Sequence, residues 1–181
     1  MVAPLAMSGA RPCAPESGGR SRMTTPRKES RNGKVVAGIQ IRTNNNLEME
    51  ADDSRLSRLW ERFKDEELAE RIPDKAAGSP VYGVYSEYEN GTQGDYSVLA
   101  GVEVSDEEKV PDDYATLILE AGEYLVFEVA GSAVEAAPEA WGLVWSYFEQ
   151  DDAPQRAFAT DFEVYCLADD KVELYIGIKG G

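Results

Sequence analysis

The chain has 181 residues, with 18 lysines and arginines against 34 aspartates and glutamates, no histidine and two cysteines. That length suits one globular domain with a tail, and 43% hydrophobic residues can supply a core. The formal charge of −16 opposes polyanions, so no direct nucleic-acid binding and no association with anionic membranes are expected. Without histidine there is no Ser-His-Asp triad, Cys-His dyad or histidine zinc site, so no metal and no cofactor are expected. Two cysteines, Cys13 and Cys166, give no disulfide framework and read as unpaired thiols of a reducing compartment. No apolar run is long enough to span a bilayer, and a cytoplasmic protein is expected.

The charge is unevenly distributed. Residues 1–34 hold seven basic and two acidic residues, leaving eleven basic against 32 acidic in the remainder, a body of −21. The head is rich in Ser, Gly, Pro and Arg and lacks a hydrophobic period, so residues 1–33 are expected to be a disordered basic leader. Residues 34–181 then form the folded domain.

Val35 to Arg42 is β-branched and reads as a strand ending in Thr43-Asn44-Asn45-Asn46. Asp52, Asp53 or Ser54 can cap a helix whose Leu56, Leu59, Trp60, Phe63 and Leu68 recur at helical spacing. Val81 to Tyr88 and Tyr96 to Val104 read as a hairpin about Glu89-Asn90-Gly91-Thr92. After an acidic loop the order returns. Tyr114 to Val129 is β-rich with a bend or bulge at Ala121-Gly122, Pro138 to Gln150 is a helix begun by its proline, and Phe158 to Leu167 pairs with Val172 to Lys179.

The halves rhyme: Leu59-Trp60-Glu61-Arg62-Phe63 with Val144-Trp145-Ser146-Tyr147-Phe148, and Gly83-Val84-Tyr85 with Glu163-Val164-Tyr165. The expectation is an α+β fold of duplicated βαββ repeats, antiparallel sheets with one helix per repeat and a central groove. If Phe162 and Val164 meet the helices, the period of two sends Glu163 and Tyr165 to the groove on the opposite face, with Gly83 and Tyr85 beside them. A strand carboxylate ringed by tyrosines is costly to bury unpaired, and cations are scarce nearby in sequence, so an external cation is its natural partner. Spacing alone leaves a solvated Glu163 and core tryptophans (Trp60, Trp141, Trp145) as alternatives.

The segments Val35–Asn45, Leu59–Phe63, Glu123–Phe127, Asp161–Tyr165 and Tyr175–Lys179 resemble, in order and spacing, the GyrI-like or AraC-type effector-binding superfamily of bacterial small-molecule-binding domains. The resemblance spans residues 34–179. It implies a stand-alone, multidrug-type module for a cationic or lipophilic small molecule, with Glu163 as the carboxylate that meets the ligand. Tyr165, Tyr85, Trp60, Trp145 and Trp141 would form the aromatic lining. A role in transcription regulation or toxin sequestration follows from that resemblance, although no helix-turn-helix is evident. Its alternatives are a hydrolase of a reactive toxin, with an enzyme the less favoured reading, or a gyrase-inhibitor-like module with a protein partner.

Overall fold

The computed structural model describes residues 25–50 and 54–180. Eight strands form one antiparallel sheet: β1 (Arg27–Arg31), β2 (Lys34–Thr43), β3 (Val81–Ser86), β4 (Tyr96–Val104), β5 (Ala115–Leu119), β6 (Gly122–Ala130), β7 (Thr160–Cys166) and β8 (Lys171–Gly177). Four helices accompany them: α1 (Asn45–Glu50), α2 (Arg55–Asp65), α3 (Leu68–Arg71) and α4 (Ala133–Phe148). The strand order β1-β6-β8-β7-β3-β4-β2-β5 reads the same from either end once the halves are exchanged. The duplication expected from the sequence is therefore the architecture of the sheet.

Each repeat carries one more strand than the sequence suggested. β1 precedes β2 but pairs with β6 of the other repeat, and β5 precedes β6 but pairs with β2. Only residues 32–33 join β1 to β2, and only residues 120–121 join β5 to β6. Strands so closely linked yet at opposite ends of the order require the sheet to curl into a half-barrel. The bend at Ala121-Gly122 is thus a passage between the two ends of the sheet, not a bulge in one strand. The sheet also begins at Arg27, before residue 34, so the last part of the supposed leader is an edge strand; residues 1–24 lie outside the described residues.

The centre of this pseudo-twofold arrangement is the β3–β7 junction, where Gly83 pairs directly with its repeat equivalent Glu163. Helix α2 starts as the sequence predicts: Ser54 caps it by accepting from the Ser57 backbone N–H at 3.0 Å. Its Leu56, Leu59, Trp60 and Phe63 are buried, each stabilising by roughly 2 kcal/mol. Helix α4 begins five residues before Pro138, which lies inside it and removes a backbone donor there.

Two apolar clusters occupy the two faces of the sheet. The helix face joins Leu59, Trp60, Trp141 and Val144 to Tyr85, Tyr165, Leu174 and Ile176. The inner face of the curl joins Tyr82, Val84, Phe162, Val164, Cys166 and Tyr175. Cys166 is fully buried there and is not a free thiol, against the expectation of unpaired cysteines. Among the described residues no helix is long and apolar enough to cross a membrane.

Candidate functional site

Alternation along β7 separates Glu163 and Tyr165 from Phe162 and Val164, as the sequence indicates, but the faces are the reverse of those expected. Phe162 and Val164 lie inside the curl, while Glu163 and Tyr165 face the helices. A period of two fixes which residues share a face and not which face the helices cover. The candidate site is therefore beneath the helices, with α2 packed over β2 and β4 and α4 over β6 and β8. Glu163 sits on the β3–β7 junction between these two halves.

Glu163 is 2% exposed. Its Oε1 accepts from Trp141 Nε1 at 2.7 Å and from Tyr85 Oη at 3.1 Å, and Tyr165 Oη donates to Oε2. All three donors are neutral, and among the described residues no lysine or arginine forms an ion pair with it. Gly83 makes the space: a Cβ there would lie 2.5 Å from Glu163 Oε2 and 3.0 Å from the Trp60 ring. Trp60 meets Tyr165 edge-on with centroids 5.2 Å apart, and Tyr85 meets Trp141 at 4.9 Å. Each face of the carboxylate thus has an indole and a phenol, one from each repeat.

Burial raises the Glu163 pKa above its ordinary value, opposed by the bonds from Tyr165, Trp141 and Tyr85. Burial also pushes the Tyr85 and Tyr165 hydroxyls well above theirs, and the neighbouring carboxylate adds to it. Both phenols are consequently held as donors. The result is a carboxylate oriented by fixed dipoles, with its formal charge unbalanced.

Five of the six sequence-derived candidates, Glu163, Tyr165, Tyr85, Trp60 and Trp141, converge on this cluster. Trp145 does not touch it: 44% exposed, it stands at the mouth. A small inner chamber of about 30 Å³ is lined by Asn45, Tyr85, Tyr88, Tyr96, Trp141, Trp145 and Arg156, among others. It adjoins an outer chamber of about 710 Å³, with which it shares Asn45, Thr92, Trp145 and Arg156. The inner chamber has room for little more than a water or two, so the inner part of the groove is filled chiefly by its own side chains.

The sequence reading missed Tyr88, Tyr96, Arg156 and Asp161. Arg156 Nη2 donates to Asp161 Oδ2, which also accepts from Tyr88 Oη at 2.7 Å, while Gly177 N–H reaches Oδ1 at 2.9 Å. Cations are scarce in this stretch of the sequence, but the groove is not without one. A buried arginine lies at its rim, though its partner is Asp161 and not Glu163. The only sequence signal was Arg156 close to Asp161 in an otherwise acidic stretch.

A duplicated sheet that presents, between two helices, a buried carboxylate with aromatic neighbours and no cation partner among the described residues has the features of a small-molecule effector-binding domain. The chain belongs to the Cass2 family of integron-associated effector binding proteins, whose profile matches residues 29–178. That family fits the GyrI-like superfamily resemblance drawn from the sequence.

Among its relatives, the Bacillus subtilis (strain 168) protein YobU is 28% identical over 152 residues, covering 81% of this chain and 92% of its own. YobU is named, provisionally, a transcriptional regulator protein. The Vibrio cholerae integron cassette protein VCH_CASS2 superposes with a TM-score of 0.71 at 28% identity, over 84% of this chain and 95% of its own. SAV2435, solved bound to tetraphenylphosphonium, has a TM-score of 0.71 at 19% identity, over 87% of this chain and 95% of its own.

Proposed function

We propose that this chain is a stand-alone effector-binding module that takes a lipophilic organic cation onto Glu163. The observation that carries this reading is a fully buried carboxylate with three neutral donors and, among the described residues, no cation paired with it. Removing that charge from water is unfavourable by several kcal/mol unless a countercharge is supplied. A cation with an apolar shell restores the balance and adds cation–π attraction to the indoles and phenols, about 0.5–2 kcal/mol per good contact.

The tetraphenylphosphonium complex of SAV2435 supports the same ligand chemistry on the same fold. Because the inner chamber is small, entry requires Trp141 and Trp145 to swing away from the mouth. Such a rearrangement of α4 is a natural signal for regulation by a partner, and uptake alone suffices for sequestration. The cytoplasm is the compartment proposed for either role.

Trp60 and Trp141 flank Glu163, so tryptophan emission reports binding directly. Tetraphenylphosphonium is expected to quench or shift it saturably. Glu163→Gln is expected to weaken tetraphenylphosphonium far more than neutral triphenylphosphine. Equal weakening of the two would remove the charge from the explanation.

A further inference from the structure

Arg156 is 8% exposed and is gripped on several sides. Its guanidinium carbon lies 4.4 Å from the Phe158 ring centroid and 5.7 Å from that of Phe148, and its backbone bridges to Ile178. One nitrogen, Nη2, is engaged by Asp161. Nε is sealed from solvent without a hydrogen-bond partner, whereas Nη1 is not sealed and donates to no described protein atom. A buried arginine normally has its donors satisfied, and an unmet one is unfavourable. This under-used fork lines both chambers of the groove.

We propose that Arg156 is a specificity-determining residue that reads a hydrogen-bond acceptor on the ligand. The preferred ligand class is a lipophilic cation that carries a carbonyl or ether oxygen at the end opposite its charge. The inference rests on Glu163 as the cation site and adds a direction: charge inward, acceptor outward. Asp161 already neutralises the guanidinium, so a neutral acceptor suits the position better than a carboxylate. Two polar side chains of the lining are already committed. Asn45 donates to the Thr92 carbonyl and accepts from Tyr96, and Tyr88 is committed to Asp161. Glu149, the other charged residue of the outer chamber, is exposed and exerts a field weakened by water.

The experiment compares two dyes with the same xanthylium cation, tetramethylrosamine and its analogue with a methyl ester at the para position of the pendant phenyl ring, which differ by one ester group placed away from the charge. The full chain is expected to bind the ester about tenfold more tightly, the worth of one hydrogen bond from a charged donor. In Arg156→Met combined with Asp161→Asn, which leaves no buried charge unpaired, that preference, read as the ratio of the two affinities within the variant, is expected to fall to within about twofold of unity. If the double variant does not fold, Arg156→Lys keeps the ion pair but loses the planar fork, and the preference is expected to drop below about threefold.

No ester preference in the unaltered chain, or a preference that survives in every folded variant, overturns the assignment. Failure of the underlying cation site looks different. Rosamine binding would then be insensitive to Glu163→Gln whatever the ester does.

Discussion

Glu163 and Glu173 are both 2% exposed and stand on neighbouring strands of one sheet, yet their surroundings oppose one another. Glu163 faces the helices and has, among the described residues, phenols and an indole as its partners. Glu173 faces the inside of the curl. Its Oε1 accepts from Arg27 at 3.0 Å and Lys171 at 3.3 Å, and its Oε2 from Tyr175 at 2.8 Å. Burial raises the pKa of both groups, but for Glu173 the Tyr175 bond and the charges of Arg27 and Lys171 outweigh it and leave the pKa lowered. For Glu163 no cation does so, and the pKa stays raised. Burial alone therefore does not distinguish a structural carboxylate from a receptive one. The missing countercharge does.

The largest effect should come from exchanging these roles. Glu163→Gln is expected to lower the affinity for tetraphenylphosphonium by about 100-fold, the cost of removing one partner of a desolvated ion pair. At neutral pH it should leave the unliganded protein at least as stable in urea. Glu173→Gln is expected to do the reverse: about 2 kcal/mol less stable, discounted because Arg27 is 40% exposed and has Glu29 as a second partner. Its cation affinity should stay within twofold. A Glu173 variant that loses cation binding without loss of stability would erase the contrast.

A smaller effect is expected at the symmetry centre. Gly83→Ala places a methyl group 2.5 Å from Glu163 Oε2, so the carboxylate must move off Tyr165 or Trp141. Roughly tenfold weaker binding and about 1 kcal/mol of lost stability follow if one hydrogen bond is broken. Fluorescence titration and urea unfolding of the one variant measure both. Unchanged binding would mean that the position of Glu163 is not set by the empty space at Gly83.

These contrasts were legible in the sequence to different depths. The duplicated repeat was readable because alternation and helical spacing are local signals, and Glu163, Tyr165 and Tyr85 could be grouped for the same reason. The face they occupy was not, since strand periodicity carries no information about what packs above or below. The strand β1 escaped notice because Arg-Lys-Glu-Ser-Arg has no apolar residue. Its alternation is of charges, with Arg27, Glu29 and Arg31 half-buried and Lys28 and Ser30 exposed. Glu29 pairs with both of those arginines along the strand itself, whereas Arg27 reaches Glu173 on β8, a partner that only the folded sheet brings near. The pairing of Arg156 with Asp161 was missed because composition counts cations without showing which of them are already occupied.

The smallest effect, and the one that isolates the contrast most cleanly, is the opposite response of the two carboxylates to acid. The Glu163 pKa is higher in the folded chain than the ordinary 4.5. Its proton therefore favours the folded state, a contribution fully present below 4.5 and lost as pH rises through the folded value. The Glu173 pKa is lower in the folded chain than 4.5, so its contribution is present above 4.5 and lost as pH falls through the folded value.

In urea unfolding, the stability of Glu163→Gln minus that of the unaltered chain is expected to be positive at neutral pH and to shrink towards acid, where the native carboxyl becomes protonated. The same difference for Glu173→Gln should start negative and also approach zero, but only below 4.5. Bound tetraphenylphosphonium favours the ionised carboxylate, so its affinity should rise with pH through the folded Glu163 value and level off above it. A flat affinity profile across that range, with Glu163→Gln still defective, would mean that Glu163 shapes the groove without its charge meeting the ligand.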